Sequence, residues 1–157
     1  MNQKVTVITG RRGAGKSRYC LELLDRSERL GLKCGGIISP AVYNSGVKTA
    51  FFTMDVVTKE QRLCGVHTEN GGTIGAWKMD PAVLQWGNRL LESSCPCDCL
   101  FVDELGPLEF IKHQGYIEAF ELLRNGAYGK ACVVVRPECI DAFRTIIPDF
   151  DVYSIEV

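Results

Sequence analysis

Short runs of β-branched and apolar residues alternate along the chain with longer segments whose apolar positions recur at helical spacing. The predicted strands cover 4–9, 34–39, 47–58, 61–66, 76–79, 99–102, 133–135 and 152–157. The predicted helices cover 16–30, 81–93, 114–125 and 137–146. The Val-rich strands lack polar alternation, which indicates burial on both faces. Strands alternating with helices predict an α/β fold with a mainly parallel sheet covered on both faces.

Two segments depart from this alternation. Residues 47–66 carry no helical signal, and Lys59-Glu60 separates their two apolar runs, so we expect a β-hairpin insertion. Residues 67–75 are rich in glycine and polar residues, which predicts a loop. In the helix predicted over 114–125, we expect Ile117, Phe120 and Leu123, with Leu122 beside them, to face the core.

The length and charge of the chain exclude several classes of protein. A chain of 157 residues is predicted to form a single domain, 1–157. The 18 basic and 19 acidic residues give a net charge of −1, which argues against non-specific nucleic-acid binding. No apolar run approaches the roughly 18 residues of a membrane helix, and arginines at 11 and 12 come too early for a signal peptide. We expect a cytoplasmic protein without membrane contact.

The eight cysteines predict thiols rather than a disulfide framework. Cys20, Cys34, Cys132 and Cys139 lie in apolar segments, as expected for reduced thiols packed as small hydrophobic side chains. The run Cys95, Cys97 and Cys99 has C-x-C-x-C spacing without a second ligand pair. Packing is the interpretation that this spacing favours, with part of a metal site as the alternative.

The most specific chemical signal follows the first predicted strand. Residues 10–17 match G-x-x-x-x-G-K-[ST], and a predicted helix begins within the motif. Glycines let backbone N–H groups converge on an anion, and the helix N-terminus adds its dipole. The motif predicts a three-layer P-loop NTPase fold, with Lys16 on the β- and γ-phosphates and Ser17 on Mg²⁺. The candidate nucleotide-binding residues are Gly10, Arg11, Arg12, Gly13, Ala14, Gly15, Lys16, Ser17 and Arg18.

An acidic pair follows the buried strand predicted over 99–102. The carboxyl ends of parallel strands face the ligand crevice, so Asp103 is predicted to lie near Ser17 and to hold the Mg²⁺ ion. Glu104, one residue further, is the candidate catalytic carboxylate that orients or deprotonates an attacking water. The alternative for either residue is a cap on the following turn.

Three segments together resemble one family. They are Gly10 to Ser17, the segment Gly-Gly-Ile-Ile-Ser-Pro at 35–40, and Val-Asp-Glu-Leu-Gly-Pro-Leu-Glu-Phe at 102–110. They are similar to the small nucleoside-triphosphatases first described from thermophiles, over roughly residues 5–135. The resemblance implies a RecA-like or kinase-like α/β fold that hydrolyses ATP, GTP and other nucleoside triphosphates slowly, with Mg²⁺. The chain departs from the family pattern at Ala41, where an acid is expected, and at Val135-Arg136, where a His-Arg pair is frequent.

Other side chains are weaker candidates. Arg136 ends a buried strand, where it could contact phosphate or base, and Glu109 could bind Lys16, bind the loop backbone, or cap the next segment. Arg11 and Arg12 lie in the phosphate loop, with a solvated position as the alternative. His67 and His113 are expected in solvent-exposed loops. Four aromatic residues could stack on a base or pack in the core: Tyr43, Phe51, Phe52 and Trp77.

The sequence therefore predicts a Mg²⁺-dependent nucleoside-triphosphatase. Lys16 and Glu104 are its candidate catalytic residues, and Ser17 and Asp103 its candidate metal ligands. Its expected partner is a nucleoside triphosphate such as ATP or GTP, with no membrane or nucleic-acid partner. Two alternatives remain open: a small-molecule or nucleotide kinase, and an NTP-binding adaptor of the kind used in molybdopterin-nucleotide synthesis.

Overall fold

One mixed β-sheet with helices on both faces organises the chain. The computed structural model describes residues 3–11, 13–68 and 77–155. The strands are β1 Lys4–Thr9, β2 Cys34–Ile38, β3 Ala41–Asn44, β4 Val47–Asp55, β5 Gln61–His67, β6 Trp77–Met79, β7 Cys97–Leu105, β8 Tyr128–Val135 and β9 Asp151–Ser154. The helices are α1 Lys16–Arg29, α2 Pro81–Glu92, α3 Pro107–Phe110, α4 Glu118–Asn125 and α5 Ile140–Ile146. Within the described ranges, no helix has the length and apolar character needed to cross a membrane.

Five strands form the parallel half of the sheet, in the order β9, β1, β8, β7, β2. Helix α1 packs on one face through Cys20 and Leu24. Helices α2, α4 and α5 cover the other face, where Trp86 and Phe143 join the core. The predicted α/β architecture with a mainly parallel sheet is confirmed. Because the five strands run in the same direction, their carboxyl ends meet at a common edge.

The remaining strands continue the sheet in antiparallel fashion. Strand β4 pairs antiparallel with β2, β5 and β6 follow outward, and β3 pairs with β4 alone. We call strands β3 to β6 the extension. The hairpin predicted over 47–66 is thus confirmed as β4 and β5, whereas β3 has no counterpart among the predicted strands. The extension begins directly after β2, and β2 separates it from β7 in the sheet.

Some predicted boundaries were wrong, for reasons of tertiary contact. Strand β7 is longer than predicted and includes Asp103 and Glu104, and β5 includes His67, which was assigned to a loop. Helix α4 begins at Glu118 rather than at 114, and Ile117 is exposed rather than buried. Residues 69–75 of the predicted loop and 156–157 of the last strand lie outside the described residues.

The late start of α4 has a physical cause. Gly115 adopts a left-handed backbone with φ +74°. The next N–H, that of Tyr116, donates to the Glu109 carboxylate at 3.0 Å instead of to a helical carbonyl. Upstream, Pro107 to Phe110 close one helical turn, α3, where the sequence predicted only a turn. A side chain contributed by this turn therefore shapes the segment before α4.

All eight cysteines are free thiols, and six are buried. The Sγ atoms of Cys20 and Cys132 lie 3.8 Å apart, a thiol–thiol hydrogen-bond contact and not a disulfide. Burial raises the pKa of Cys97 to about 12, which keeps this thiol protonated and unreactive. Within the described ranges, no cluster of three or more cysteine, histidine or acidic side chains is arranged to hold a metal ion, so Cys95, Cys97 and Cys99 form no such group.

Candidate functional site

The loop between β1 and α1 curls around the ammonium group of Lys16. The Lys16 Nζ atom donates to the Gly10 carbonyl at 2.7 Å and to the Arg11 carbonyl at 3.2 Å. Gly13 and Gly15 adopt positive φ of 80° and 91°, a backbone region that favours glycine. Within the loop, the Ala14 N–H donates to the Arg11 carbonyl at 3.1 Å, so Arg11 is bonded both to Ala14 and to the Lys16 ammonium group.

Burial sets the electrostatic state of Lys16. Its side chain is buried beneath the loop, and this desolvation lowers its pKa, although the nearby carboxylates of Glu104 and Asp103 act in the opposite direction. A polyphosphate in the cleft would place further negative charge next to the Lys16 ammonium group and offset its desolvation. The loop and Lys16 therefore form a positively charged site that is suited to binding an anion.

Asp103 lies across from the loop, near the end of β7. Its Oδ2 atom accepts hydrogen bonds from the Ser17 hydroxyl at 2.7 Å and from the Ser39 N–H at 3.0 Å. The Ser39 hydroxyl in turn donates to the main-chain carbonyl of Asp103 at 2.7 Å. The carboxylate is 1% exposed, and burial raises its pKa to about 6, with the charge of Glu104 adding to that effect.

One oxygen of the Asp103 carboxylate, Oδ1, is buried without a hydrogen-bond partner among the described residues. Buried polar atoms normally have a partner, and a hard divalent cation such as Mg²⁺ prefers oxygen ligands. The Ser17 hydroxyl and the Asp103 carboxylate are suitable donors for such an ion, so the residues present fit a Mg²⁺ site.

Glu104 is the next residue and points into the same cleft. Its side chain is part-exposed, and its Oε1 lies 3.9 Å from the Nε atom of Arg136. Arg136 follows β8 and also contacts Glu138 Oε1 at 3.1 Å. The carboxylate is thus accessible to water and is oriented by a cation at the carboxyl end of the neighbouring strand.

Glu109 braces the turn that follows. Its Oε1 accepts from the Gly106 N–H at 2.9 Å and its Oε2 from the Tyr116 N–H at 3.0 Å. The side chain is buried, and this burial raises its pKa to about 7. Of the alternatives for this residue, the structure shows the cap: the carboxylate holds N–H groups of the segment that follows Glu104, and its described hydrogen bonds include neither Lys16 nor residues 10–17. Glu109 therefore positions the segment between Glu104 and α4.

A cleft of about 670 Å³ joins these groups to the extension. Its near wall carries residues 13–18 of the phosphate loop and α1, together with Glu104, Glu109 and Arg136. The far wall belongs to the extension and contributes Tyr43, Lys48, Phe51, His67, Trp77 and Met79. Ala41, where the family pattern predicted an acid, also lines the cleft. The cleft thus lies between a phosphate loop and an aromatic wall.

The remaining predicted residues are distributed unevenly around this cleft. Gly13, Ala14, Gly15, Lys16, Ser17 and Arg18 line it, and Gly10 lies at the base of the loop with its carbonyl on Lys16. Arg11 is exposed, and Arg12 lies outside the described residues. His67 is exposed as expected, but it lines the cleft from a strand and meets the Trp77 ring edge-on at 5.4 Å.

Four contributors were not identified from the sequence: Ser39, Lys48, Met79 and Tyr116. Ser39 was quoted only as part of a family segment, and its position after a buried strand was the signal that could have assigned it to the crevice. Lys48 and Met79 enter the cleft from β4 and β6, and Tyr116 enters it from the segment before α4; no local motif at these positions indicates which side chains face inward.

The chain is similar in sequence to several known proteins. The NTPase_1 family model, described as NTPase, matches residues 5–150. The nucleoside-triphosphatase THEP1 of Methanothermobacter thermautotrophicus is 32% identical over 109 residues, 66% of this chain and 60% of that protein. The THEP1 of Ignicoccus hospitalis is 31% identical over 102 residues, 65% and 58% of the two chains. The chain thus spans about three fifths of the length of these curated relatives.

Two solved structures have a similar fold. The solution structure of a human cancer-related nucleoside triphosphatase has a TM-score of 0.72 at 16% identity, covering 98% of this chain and 89% of that one. The crystal structure of THEP1 from the hyperthermophile Aquifex aeolicus has a TM-score of 0.67 at 14% identity, covering 96% and 89%. With the match over residues 5–150, these findings show that the chain belongs to the NTPase_1 family.

Proposed function

We propose that this chain binds a nucleoside triphosphate with Mg²⁺ and hydrolyses its terminal phosphoanhydride bond. The observation that carries the proposal is the 2.7 Å contact between the Ser17 hydroxyl and Asp103 Oδ2, beside an Oδ1 atom that no described donor reaches. This pair joins the phosphate loop to the acidic strand at the place where a nucleotide-bound cation is held in P-loop enzymes. The family and its THEP1 relatives support the same activity.

Each residue has a separate task in this reaction. The loop N–H groups and Lys16 bind the phosphates, and Ser17 and Asp103 hold Mg²⁺. When bound, the ion neutralises negative charge on the phosphate oxygens. Glu104 orients a water molecule and takes its proton, the water oxygen bonds to the γ-phosphorus, and the bond from that phosphorus to the bridging oxygen breaks. The products are the nucleoside diphosphate and inorganic phosphate.

The fixed geometry explains how such a site accelerates the reaction. Lys16 and Asp103 are held by hydrogen bonds before any ligand arrives, so little reorganisation is needed during the reaction. The residues assigned to the phosphates and the metal contact no base, so we expect broad base specificity. We also propose that the described residues act as one domain, because all their strands share one sheet.

Phosphate release from ATP, GTP, CTP and UTP with Mg²⁺ tests the proposal. Glu104→Gln should keep nucleotide binding, measured by calorimetry, and lose on the order of 10²-fold or more in turnover, because general-base catalysis is worth about 10²–10⁴-fold. Glu121→Gln, an exposed glutamate on α4, is the matched control and should behave like the unmodified protein. Equal amounts of diphosphate and phosphate distinguish hydrolysis from transfer to an acceptor. Unchanged turnover in Glu104→Gln would contradict the assignment of Glu104.

A further inference from the structure

A lysine of the extension points its charge into the cleft. Lys48 lies on β4 opposite Tyr43 of β3, and both residues line the cleft. Its Nζ atom lies over two aromatic rings, 5.0 Å from the Phe51 centroid and 5.6 Å from the Trp77 centroid. Ring faces attract a cation without neutralising it. The aromatic wall therefore holds a positive charge in position and leaves its hydrogen-bonding capacity available.

The other basic residues of the described cleft differ from Lys48. Lys16 donates to loop carbonyls, and Arg136 contacts Glu104 and Glu138. Arg18 is exposed on α1, at the rim of the cleft. Lys48 is partly buried, and it makes no ion pair with any described residue. A partly buried ammonium group without a carboxylate partner is available to an anion that enters the cleft.

The chain path brings the extension to the Asp103 side of the cleft. Ser39 contacts Asp103 with both its N–H and its hydroxyl, and β3 begins two residues later, at Ala41. Strand β8 separates β7 from β1, so the extension lies beyond Asp103 as seen from β1. A metal held by Ser17 and Asp103 would supply positive charge at the terminal part of a bound triphosphate. The terminal phosphate is therefore the part of a bound nucleotide nearest the extension.

We propose that Lys48 contacts the terminal phosphate of the bound nucleoside triphosphate, as a second cation facing Lys16 across the cleft. This inference rests on the proposed function and adds a residue to it. Hydrogen bonds from an ammonium group to phosphate are stronger than its contacts with ring faces, so the ammonium gains by moving from the rings to the ligand.

The contact has a specific chemical consequence. A diphosphate lacks the terminal group, so Lys48 distinguishes substrate from product. During hydrolysis, negative charge is spread over the equatorial oxygens of the transferred group, and a nearby cation stabilises it. An arginine at this place would keep the charge but change the geometry of its donors. Lys48 thus contributes both to triphosphate recognition and to the rate.

Binding and turnover of Lys48→Gln in the full chain test the inference. The ligands are ADP and the ATP analogue with an imido group between the β- and γ-phosphates, each with Mg²⁺, measured by calorimetry. We expect the analogue to bind roughly 10- to 100-fold more weakly, as for a lost charge-assisted contact, and ADP to bind within about threefold of the unmodified protein. Phosphate release should fall by about 10²-fold or more, and Lys48→Arg should recover part of it.

Lys78 provides the matched control. It is exposed on β6 between Trp77 and Met79, and neighbours on a strand point to opposite faces, so Lys78→Gln should leave all three measurements unchanged. Lys48→Met keeps the aliphatic stem against the rings and provides a second uncharged variant, with circular dichroism to confirm folding. Equal binding of the analogue by the unmodified protein and both uncharged variants would overturn the role of Lys48 alone. Failure of the unmodified protein to bind or hydrolyse any triphosphate would overturn the proposed function itself.

Discussion

The parallel half and the extension contribute to the cleft in different ways. In the parallel half, Lys16 at the start of α1 and Asp103 near the end of β7 are buried and fixed by hydrogen bonds. In the extension, Tyr43 is 52% exposed and Lys48 rests on ring faces. The side chains proposed to bind phosphate and metal are therefore held by hydrogen bonds, whereas the far wall is formed by side chains in contact with one another.

The two regions also differ in how their strands are stabilised. The parallel strands contribute fully buried residues such as Val102 and Val133 to a core with helices on both sides. The extension exposes Val42, Val47 and Leu63 on its strands. Elements with fewer buried apolar contacts open at lower free energy, so the extension is the region expected to yield first.

The largest expected effect comes from the acidic strand. Asp103→Asn keeps an oxygen for Ser17 and Ser39 but removes the charge that the proposed Mg²⁺ ion needs. Turnover should fall on the order of 10²–10³-fold, since metal-derived charge stabilisation is worth several kcal/mol. Phe51→Leu removes one ring beneath Lys48 and should cost less than about tenfold. Steady-state phosphate release at saturating nucleotide and Mg²⁺ measures both, and a larger loss in Phe51→Leu would reverse the comparison.

A matched pair of glycine substitutions compares the stability of the two regions. Gly36 in β2 has φ +106°, and a Cβ atom there would overlap the main-chain carbonyl of Phe101. Gly36→Ala should therefore lower the free energy of unfolding by about 3 kcal/mol or more. At Gly65 in β5, the added Cβ would meet the ring of Phe51, a side chain that can rotate, so Gly65→Ala should cost about 1 kcal/mol. Urea denaturation gives both values; equal costs would show that the extension packs as tightly as the parallel half.

A smaller effect should appear in the pH dependence of stability. The pKa of Glu109 is raised to about 7 by burial, so between its ordinary value and pH 7 the folded state binds a proton that the unfolded state has lost. Stability from this group is therefore present at low pH and is lost as pH rises through that window, by about 2–3 kcal/mol.

Glu109→Gln isolates this contribution, because Asp103 titrates in both proteins. The variant should have a flatter dependence of the free energy of unfolding between pH 4.5 and 7, measured by urea denaturation without nucleotide or metal. At low pH it should be less stable by about 1 kcal/mol, because the amide can accept from only one of the two N–H groups that Glu109 holds. Parallel pH profiles for the two proteins would rule out this role of the Glu109 burial.

Sequence patterns predicted the parallel half well because its constraints are local. The spacing of residues 10–17 requires a strand, a loop and a helix in that order, and Asp103 follows an apolar run that only a buried strand explains. The buried strands were found at nearly their observed positions, except that β7 and β8 extend further at one or both ends. What each site residue does stays a prediction, as do the cytoplasmic location and the lack of a nucleic-acid partner.

The extension was harder to predict because its constraints come from distant residues. Strand β3 has four residues and pairs with β4 alone. The sequence of these two strands does not show whether Tyr43 or Val42 faces the cleft. The start of α4 depends on Glu109, a carboxylate nine residues upstream of that helix. The role proposed for Lys48 depends on its contacts with Phe51, on the same strand, and with Trp77, on β6. No spacing rule in the sequence encodes these contacts.

Ser39 attaches the chain to Asp103 at two points, directly after β2 ends. Its N–H and its hydroxyl bind Asp103 at two different atoms, so both the position and the rotation of the chain are set before Pro40 leads into the extension. One hydrogen bond would leave this segment free to rotate about β7, whereas two bonds to different atoms fix its orientation. Together with the Phe52 N–H, which donates to the Pro40 carbonyl at 2.8 Å, Ser39 thus helps to align the far wall of the cleft with the acidic strand.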